Sequence, residues 1–364
     1  MPVKGEVPWD IAEHTLAKHD IYRRYLERWF PILLNGANAF PSATYAEGFA
    51  GPGIYKSGDE GSPIIALKAY LDKVPAGKAL TKFVFIDDDP RCVKMLNEQL
   101  RLHFPQRPRH DEELRVKVVE GKCVEVLGEQ LTHHEAWGQP ILAVLDSWGN
   151  APISYRLLRR IAHNPGSEVI VTFGPQHFVR FVTDLGPKAD EVFGGEQQWR
   201  EVRDQPDGEA KRQHLLDCYR RTLQTAGFQH LLDFELVDRR GEVLYLIFAT
   251  NHPRGVEKMK DTLWEVDPVR GVGFRDPRDE QRETLFDVNE PILTPLARLL
   301  LPRIDQAGSD GVLVRDLRDF ALHQTIYRPQ HVAPALQPQL EAGTIRSSPP
   351  ERVRASGQVW INHT

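Results

Sequence analysis

The sequence predicts an α/β protein: a Rossmann-like, mostly parallel sheet with helices on both faces, followed by a small helical domain. Three observations carry that expectation. Short apolar runs alternate with amphipathic segments between residues 13 and 266, the order expected of βαβ units. The first run, 43 to 50, breaks into Gly51-Pro52-Gly53, a tight turn that exposes backbone N–H groups with no side chain in the way. The last two runs, 231–237 and 243–250, are joined only by Asp238-Arg239-Arg240-Gly241-Glu242. That is too short for a crossover helix, so the pair must be an antiparallel hairpin, the sixth and seventh of seven strands.

Composition sets the class and leaves function open. The 364 residues suffice for one large domain and one small one. Hydrophobic residues at 41% and charged residues at 27% are ordinary for a globular chain. No run of 18 apolar residues suggests a membrane span, and Met1 to Glu6 has no signal core, so a cytoplasmic protein is expected. Cys92, Cys123 and Cys218 are far apart and fit no metal spacing, which reads as reduced structural thiols. A net charge of −5 argues against an overall basic coat but permits a local basic face.

In chain order, Glu13 to Leu34 reads as a helix, with Leu16, Ile21, Tyr25 and Trp29 on one side and Arg23, Arg24 and Arg28 on the other. After the glycine turn, Ser62 suits an N-cap and Pro63 the first helical position of a run reaching Leu71. Lys82 to Asp87 is a second strand, ended by Asp87-Asp88-Asp89, and Pro90 to Leu102 a helix. Arg115 to Glu120, Pro140 to Asp146 and Glu168 to Phe173 complete the parallel set, with a helix at Tyr155 to Ala162. Residues 174–210 look irregular, an insertion or lid, before a helix at Lys211 to Ala226. The first domain is drawn as 1–270, a linker as 271–284 and a second domain as 285–364. In the second, helices at Leu293 to Ile304, Val314 to Phe320 and Pro329 to Glu341 precede strand-like Gln358 to Ile361. That is the outline of a winged helix, whose third helix would enter a major groove, although such modules also dock proteins.

A glycine turn at the carboxyl end of a strand is where open α/β sheets bind nucleotide-like ligands. Asp87, one βα unit later, is placed to receive the hydroxyls of a ribose, or else to cap the next helix. Dehydrogenase-type sheets keep a parallel sixth strand, whereas class I methyltransferase sheets close on a reversed hairpin. The expected cofactor is therefore S-adenosyl-L-methionine. On that reading Phe49, Ala50, Gly51 and Gly53 line its methionine part, Glu47 meets its amino group, Asp87 and Asp88 hold the ribose, and Glu120, Gly121 and Lys122 flank the adenine. Asp146 ends the fourth strand at the mouth of the site. Its carboxylate would accept a hydrogen bond from a target amine while Trp148 stacks on a flipped base. The plainer alternative has Asp146 capping a turn and Trp148 in a core.

Five separated stretches also resemble a family, the three-Cys-motif partner proteins. They are Lys18-His19, Glu47 to Tyr55, Gly61 to Leu67, Asp146-Ser147-Trp148-Gly149, and Phe248 to His252 followed by Met259 to Trp264. The resemblance spans residues 13 to 266. It implies a methyltransferase-like fold and a partner resembling a radical-SAM protein with three cysteines. The first three stretches are also similar to bacterial adenine-N6 methyltransferases of large-subunit ribosomal RNA, which implies that Lys18, His19, Tyr55 and Ser62 lie near the cofactor or target base. Those enzymes carry Asp-Pro-Pro-Tyr where this chain has Asp146-Ser147-Trp148-Gly149. The expectation is a methyltransferase acting on an exocyclic amine of RNA or DNA. A non-catalytic docking protein and a small-molecule methyltransferase are the alternatives, with no metal and an open oligomeric state.

Overall fold

The computed structural model describes residues 6–35, 38–75, 79–105, 114–147, 149, 153–183, 185–275 and 291–362. Helix α1 (Glu13–Leu34) buries Ile21, Tyr25 and Trp29, the face the sequence spacing indicates. Strand β1 (Ser42–Gly48) is buried along its whole length, as a strand covered on both faces must be. Helix α2 (Ser62–Lys73) corrects one detail: Gly61 holds the N-cap position, and the Ser62 hydroxyl does not cap but donates to Glu47. Strand β2 (Leu80–Asp87) leads into α3 (Pro90–His103), whose N-cap Asp89 accepts from the Arg91 amide. Then follow β3 (Leu114–Glu120), α4 (Cys123–His133), β4 (Ile141–Leu145), α5 (Tyr155–Ala162) and β5 (Glu168–Phe173).

Residues 174–210 are not the irregular insertion that their glycines and charges suggested. They form α6 (Pro175–Phe181), α7 (Gly186–Val192) and a 3-10 segment, Gln198–Asp204. Phe178, Phe193 and Trp199 from this stretch are buried in the main core, with the Phe193 and Trp199 rings stacked at 5.5 Å. Aromatic burial of this size supplies what periodicity did not reveal. Helix α8 (Gly208–Ala226) ends on Gly227 in the left-handed region, and β6 (His230–Val237) and β7 (Val243–Thr250) form the expected hairpin.

The sheet order is β3-β2-β1-β4-β5-β7-β6-β8, where β8 (Gly273–Arg275) pairs parallel with β6. The sheet thus has eight strands rather than seven, because part of the proposed linker supplies an edge strand. Only β7 runs against the rest. Strand order reverses at β1, which lies between β2 and β4, and Gly48 pairs with both Ile86 and Leu145. Three strands therefore end level, and the crevice beyond them is where such sheets bind ligands.

The chain divides into two compact units, Met1–Gly255 with Gly273–Arg282, and Val256–Val272 with Glu283–Thr364. This differs from a boundary at 270, because most of helix α9 (Pro253–Val266) belongs to the second unit. Its Lys260 ammonium donates to the carbonyls of Ala321, Leu322, Thr325 and Tyr327 at 2.5–3.2 Å, and the Trp264 indole donates to Ile326. The second unit continues with α10 (Thr294–Gln306), β9 (Val312–Leu313), α11 (Val314–Gln324), α12 (Val332–Glu341), β10 (Ile345–Ser348) and β11 (Gln358–Ile361). Its strands form an antiparallel sheet in the order β10-β11-β9 over a core that includes Leu300, Leu317, Leu336 and Val359.

Candidate functional site

The turn after β1 is built from unusual backbone. Phe49 has φ of 68°, a left-handed conformation uncommon outside glycine, and Gly51 and Gly53 follow at 66° and 76°. A Cβ on Gly61 would stand 2.8 Å from the Gly53 backbone, so close approach requires that glycine, whereas Gly53 is required by its positive φ. The Asp87 carboxylate braces the turn by accepting from the Gly51 amide at 2.8 Å and the Asp89 amide at 2.9 Å. Burial raises the Asp87 carboxyl against those two hydrogen bonds.

A cavity of about 220 Å³ opens on this turn. Phe49, Ala50, Gly51, Gly53, Tyr55 and Ser62 line it from one side, Asp87 and Asp88 from the end of β2, Asp146 from β4, and Lys18 and His19 from α1. Eleven sequence-predicted residues thus come together around one space. Four do not line it. Glu120 and Lys122 are exposed at the end of β3 with Gly121 between them, and Glu47 lies beneath the turn. Trp148 lies outside the described residues.

The charged groups are arranged tightly. Asp146 pairs with the Lys18 ammonium and accepts from the Thr172 hydroxyl at 2.9 Å. Burial alone would raise its carboxyl, but Lys18 and Thr172 overcome this and hold it below its ordinary value, so it is ionised at neutral pH. His19 is driven down to about 3 by burial and by the Lys18 charge, so its ring is neutral. Its Nε2 lies 3.5 Å from the Tyr55 hydroxyl. Glu47 accepts from the Ser62 and Tyr45 hydroxyls, and burial pushes it up to about 8 against them, so it carries a proton at pH 7.

A second cavity of about 550 Å³ lies in the same unit. His177, Arg180 and Phe181 of α6 and Asp238, Arg240 and Glu242 of the β6–β7 turn contribute to its walls, with His14 and Ser147. Adjacent residues divide between the two spaces: Thr15 and Asp146 line the smaller, His14 and Ser147 the larger. Asp146 stands at that divide.

Several contributors escaped the sequence reading. Trp9 walls the smaller cavity and meets the Tyr55 ring edge-on at 6.4 Å, and Cys92 lines it from α3. Thr172 and Tyr45 act through carboxylates, and no local motif announces either. Only a pairing of β5 with the end of β4 could have indicated Thr172.

No protein-family description and no curated protein matches the chain. Among solved structures it is similar to Trm1 from Pyrococcus horikoshii in complex with S-adenosyl-L-methionine, at 13% identity and TM-score 0.34, covering 68% of this chain and 58% of that one. It is also similar to the CMeT domain of the citrinin polyketide synthase, at 18% identity and TM-score 0.31, covering 58% and 46%. A third is loganic acid methyltransferase with SAH, at 9% identity and TM-score 0.29, covering 69% and 99%. The chain thus spans about half the length of the first two. At TM-scores below 0.5 these likenesses decide nothing about this chain.

Proposed function

We propose that this chain is an S-adenosyl-L-methionine-dependent methyltransferase that modifies an exocyclic amine of a nucleic-acid base in RNA or DNA. One observation carries the reading: an ionised carboxylate, Asp146, stands between a glycine-turn cavity and a larger cavity whose walls hold two arginines, two acids and aromatic rings.

The smaller cavity suits the cofactor. A Cβ on Gly51 would reach within 3.7 Å of the Trp9 ring across the cavity, so glycine keeps the space open. Each Asp87 oxygen accepts one backbone hydrogen bond and retains a lone pair for a sugar hydroxyl. At about 220 Å³ the space is below the roughly 300 Å³ usual for a pocket that encloses a ligand, so binding requires the pocket to widen. The cofactor supplies an electrophilic methyl group on a sulfonium.

The chain's own residues then hold and polarise the acceptor. Asp146 has a free lone pair on each oxygen beyond Lys18 and Thr172, so it can take a hydrogen bond from an acceptor amine and raise the nitrogen's nucleophilicity. Arg180, 3.9 Å from Glu242, and Arg240 bring guanidinium groups to the larger cavity, and His177 and Phe181, packed against each other at a 56° tilt, give it an aromatic wall. Trp148 is assigned to stacking on the sequence alone. We read the second unit as a winged helix from the order α10, α11, α12 and the β10–β11 ribbon. A radical-SAM-like three-Cys-motif protein is a candidate partner on the sequence resemblance.

Calorimetry tests the cofactor assignment. Wild-type protein is expected to bind S-adenosyl-L-methionine with a micromolar Kd and Gly51→Val at least tenfold more weakly; no heat from wild type overturns the reading. A non-catalytic binding protein would retain the Lys18–Asp146 pair as a structural tie. Nucleoside mass spectrometry of cells with and without the gene separates the two. A methylated base lost with the gene and not restored by Asp146→Ala is the expected result.

A further inference from the structure

The second unit offers two surfaces that could meet a nucleic acid, and their chemistry differs. Helix α12, the one a winged helix would set into a groove, spans Val332–Glu341 and contains no lysine or arginine. Its only charged residue is Glu341. Such a helix brings no cation to phosphates.

The ribbon is the opposite. Arg346 on β10 is exposed and sits directly across the antiparallel ladder from Trp360 on β11. Opposed side chains of such a pair share one face of the sheet. Trp360 is held in place: its indole donates to the Ser309 carbonyl at 3.1 Å, and its ring covers Gly311, where a Cβ would come within 2.3 Å of Nε1. In the β10–β11 connection, Arg352 and Arg354 are exposed on either side of buried Val353, whose amide is tied to Gln337 of α12 at 3.1 Å. Arg346, Arg352 and Arg354 have no ion pair among the described residues. Arg346 thus faces a fixed aromatic ring across the ladder, with Arg352 and Arg354 in the adjoining connection; the acids nearby are Glu351 in that connection and exposed Asp310 beside the ring.

We propose that the β10–β11 ribbon, and not α12, is a binding surface for single-stranded nucleic acid. The arginines take phosphates and Trp360 supplies a stacking platform, the pairing of groove charge and ring that single strands use. The claim is independent of methyl transfer in the first unit.

Fluorescence anisotropy of the full chain with a labelled 15-nucleotide single-stranded RNA of mixed sequence tests it. The triple variant Arg346→Gln/Arg352→Gln/Arg354→Gln is expected to bind at least tenfold more weakly in 50 mM salt. Its log Kd against log salt should be shallower by about 2, as expected for three lost single-strand contacts. Gln339→Ala on α12 should bind within twofold of wild type. All three changed side chains are exposed, and an unshifted melting curve shows that the triple variant is folded. Wild-type affinity in the triple variant overturns the proposal. So does an absence of binding by wild type in 50 mM salt, which would leave the ribbon to an acidic protein surface.

Discussion

At the scale of single residues, buried charge is the dominant theme of the first unit. Lys18 and Asp146 are both largely buried, and each is tolerable because the other is present. Lys18→Met should therefore cost about 3–5 kcal/mol in urea denaturation, since it strands an ionised carboxylate, while Lys18→Met/Asp146→Asn should recover most of that loss. A double variant as unstable as the single would show that the pair is not the source. Glu168 makes a second case. It accepts from Tyr25 at 2.5 Å and Thr250 at 2.8 Å, and burial lifts its pKa from 4.5 to about 7. Between those values the folded state holds a proton that the unfolded state has lost, so stability falls as pH rises and levels off above 7. The fall is at most about 1.4 kcal/mol per pH unit. Glu168→Gln should flatten the stability profile between pH 4.5 and 7, and an unchanged slope there would exclude Glu168 as its origin. Asp146 was legible in the sequence because an acid ending an apolar strand is a local pattern. Only a resemblance puts Lys18 near the site, and not as the partner of Asp146, while nothing in the sequence indicates Thr172, because it is brought there by the β4–β5 pairing. The sequence reading has Glu47 meeting the cofactor's amino group, but it does not line the cavity; its protonation follows from complete burial, which strand alternation does not report.

At the scale of elements, the glycine turn and the β6–β7 hairpin could be read directly, since tight turns need specific residues and short connections forbid crossovers. Gly61→Ala would press a methyl group into the Gly53 backbone at 2.8 Å, and the strained turn should lose S-adenosyl-L-methionine affinity by tenfold or more in calorimetry. Undiminished binding would mean that the turn is not the cofactor contact. Other elements left no pattern. β8 is three residues long and takes its identity from β6 beside it, and α6 and α7 are short helices fixed by Phe178 and Phe193 against the core. Helix α9 shows a different problem, because nothing in its own sequence says which unit it joins. Lys260 gathers four carbonyls at the end of α11, groups a helix C-terminus otherwise leaves unpaired. Lys260→Met should lower stability by about 2–4 kcal/mol, read as a drop in melting temperature, because buried carbonyls lose their donor. A melting temperature unchanged within a degree would show that they are satisfied some other way.

At the scale of the whole molecule, the two units are woven rather than strung. The chain leaves the first unit after Gly255, spends Val256–Val272 in the second, returns at Gly273 to lay down β8, and departs again. No single cut in the gene therefore yields two intact halves. A fragment ending at Gly255 would lack β8 and present the naked backbone of β6, an open template for another copy of itself. One starting at 273 would lack Lys260 and Trp264 and so the ties that organise the end of α11. The folding of each half is thus recorded partly in the other's stretch of sequence, and recombination or shortening of the gene would have to respect an interlock that linear motifs do not display.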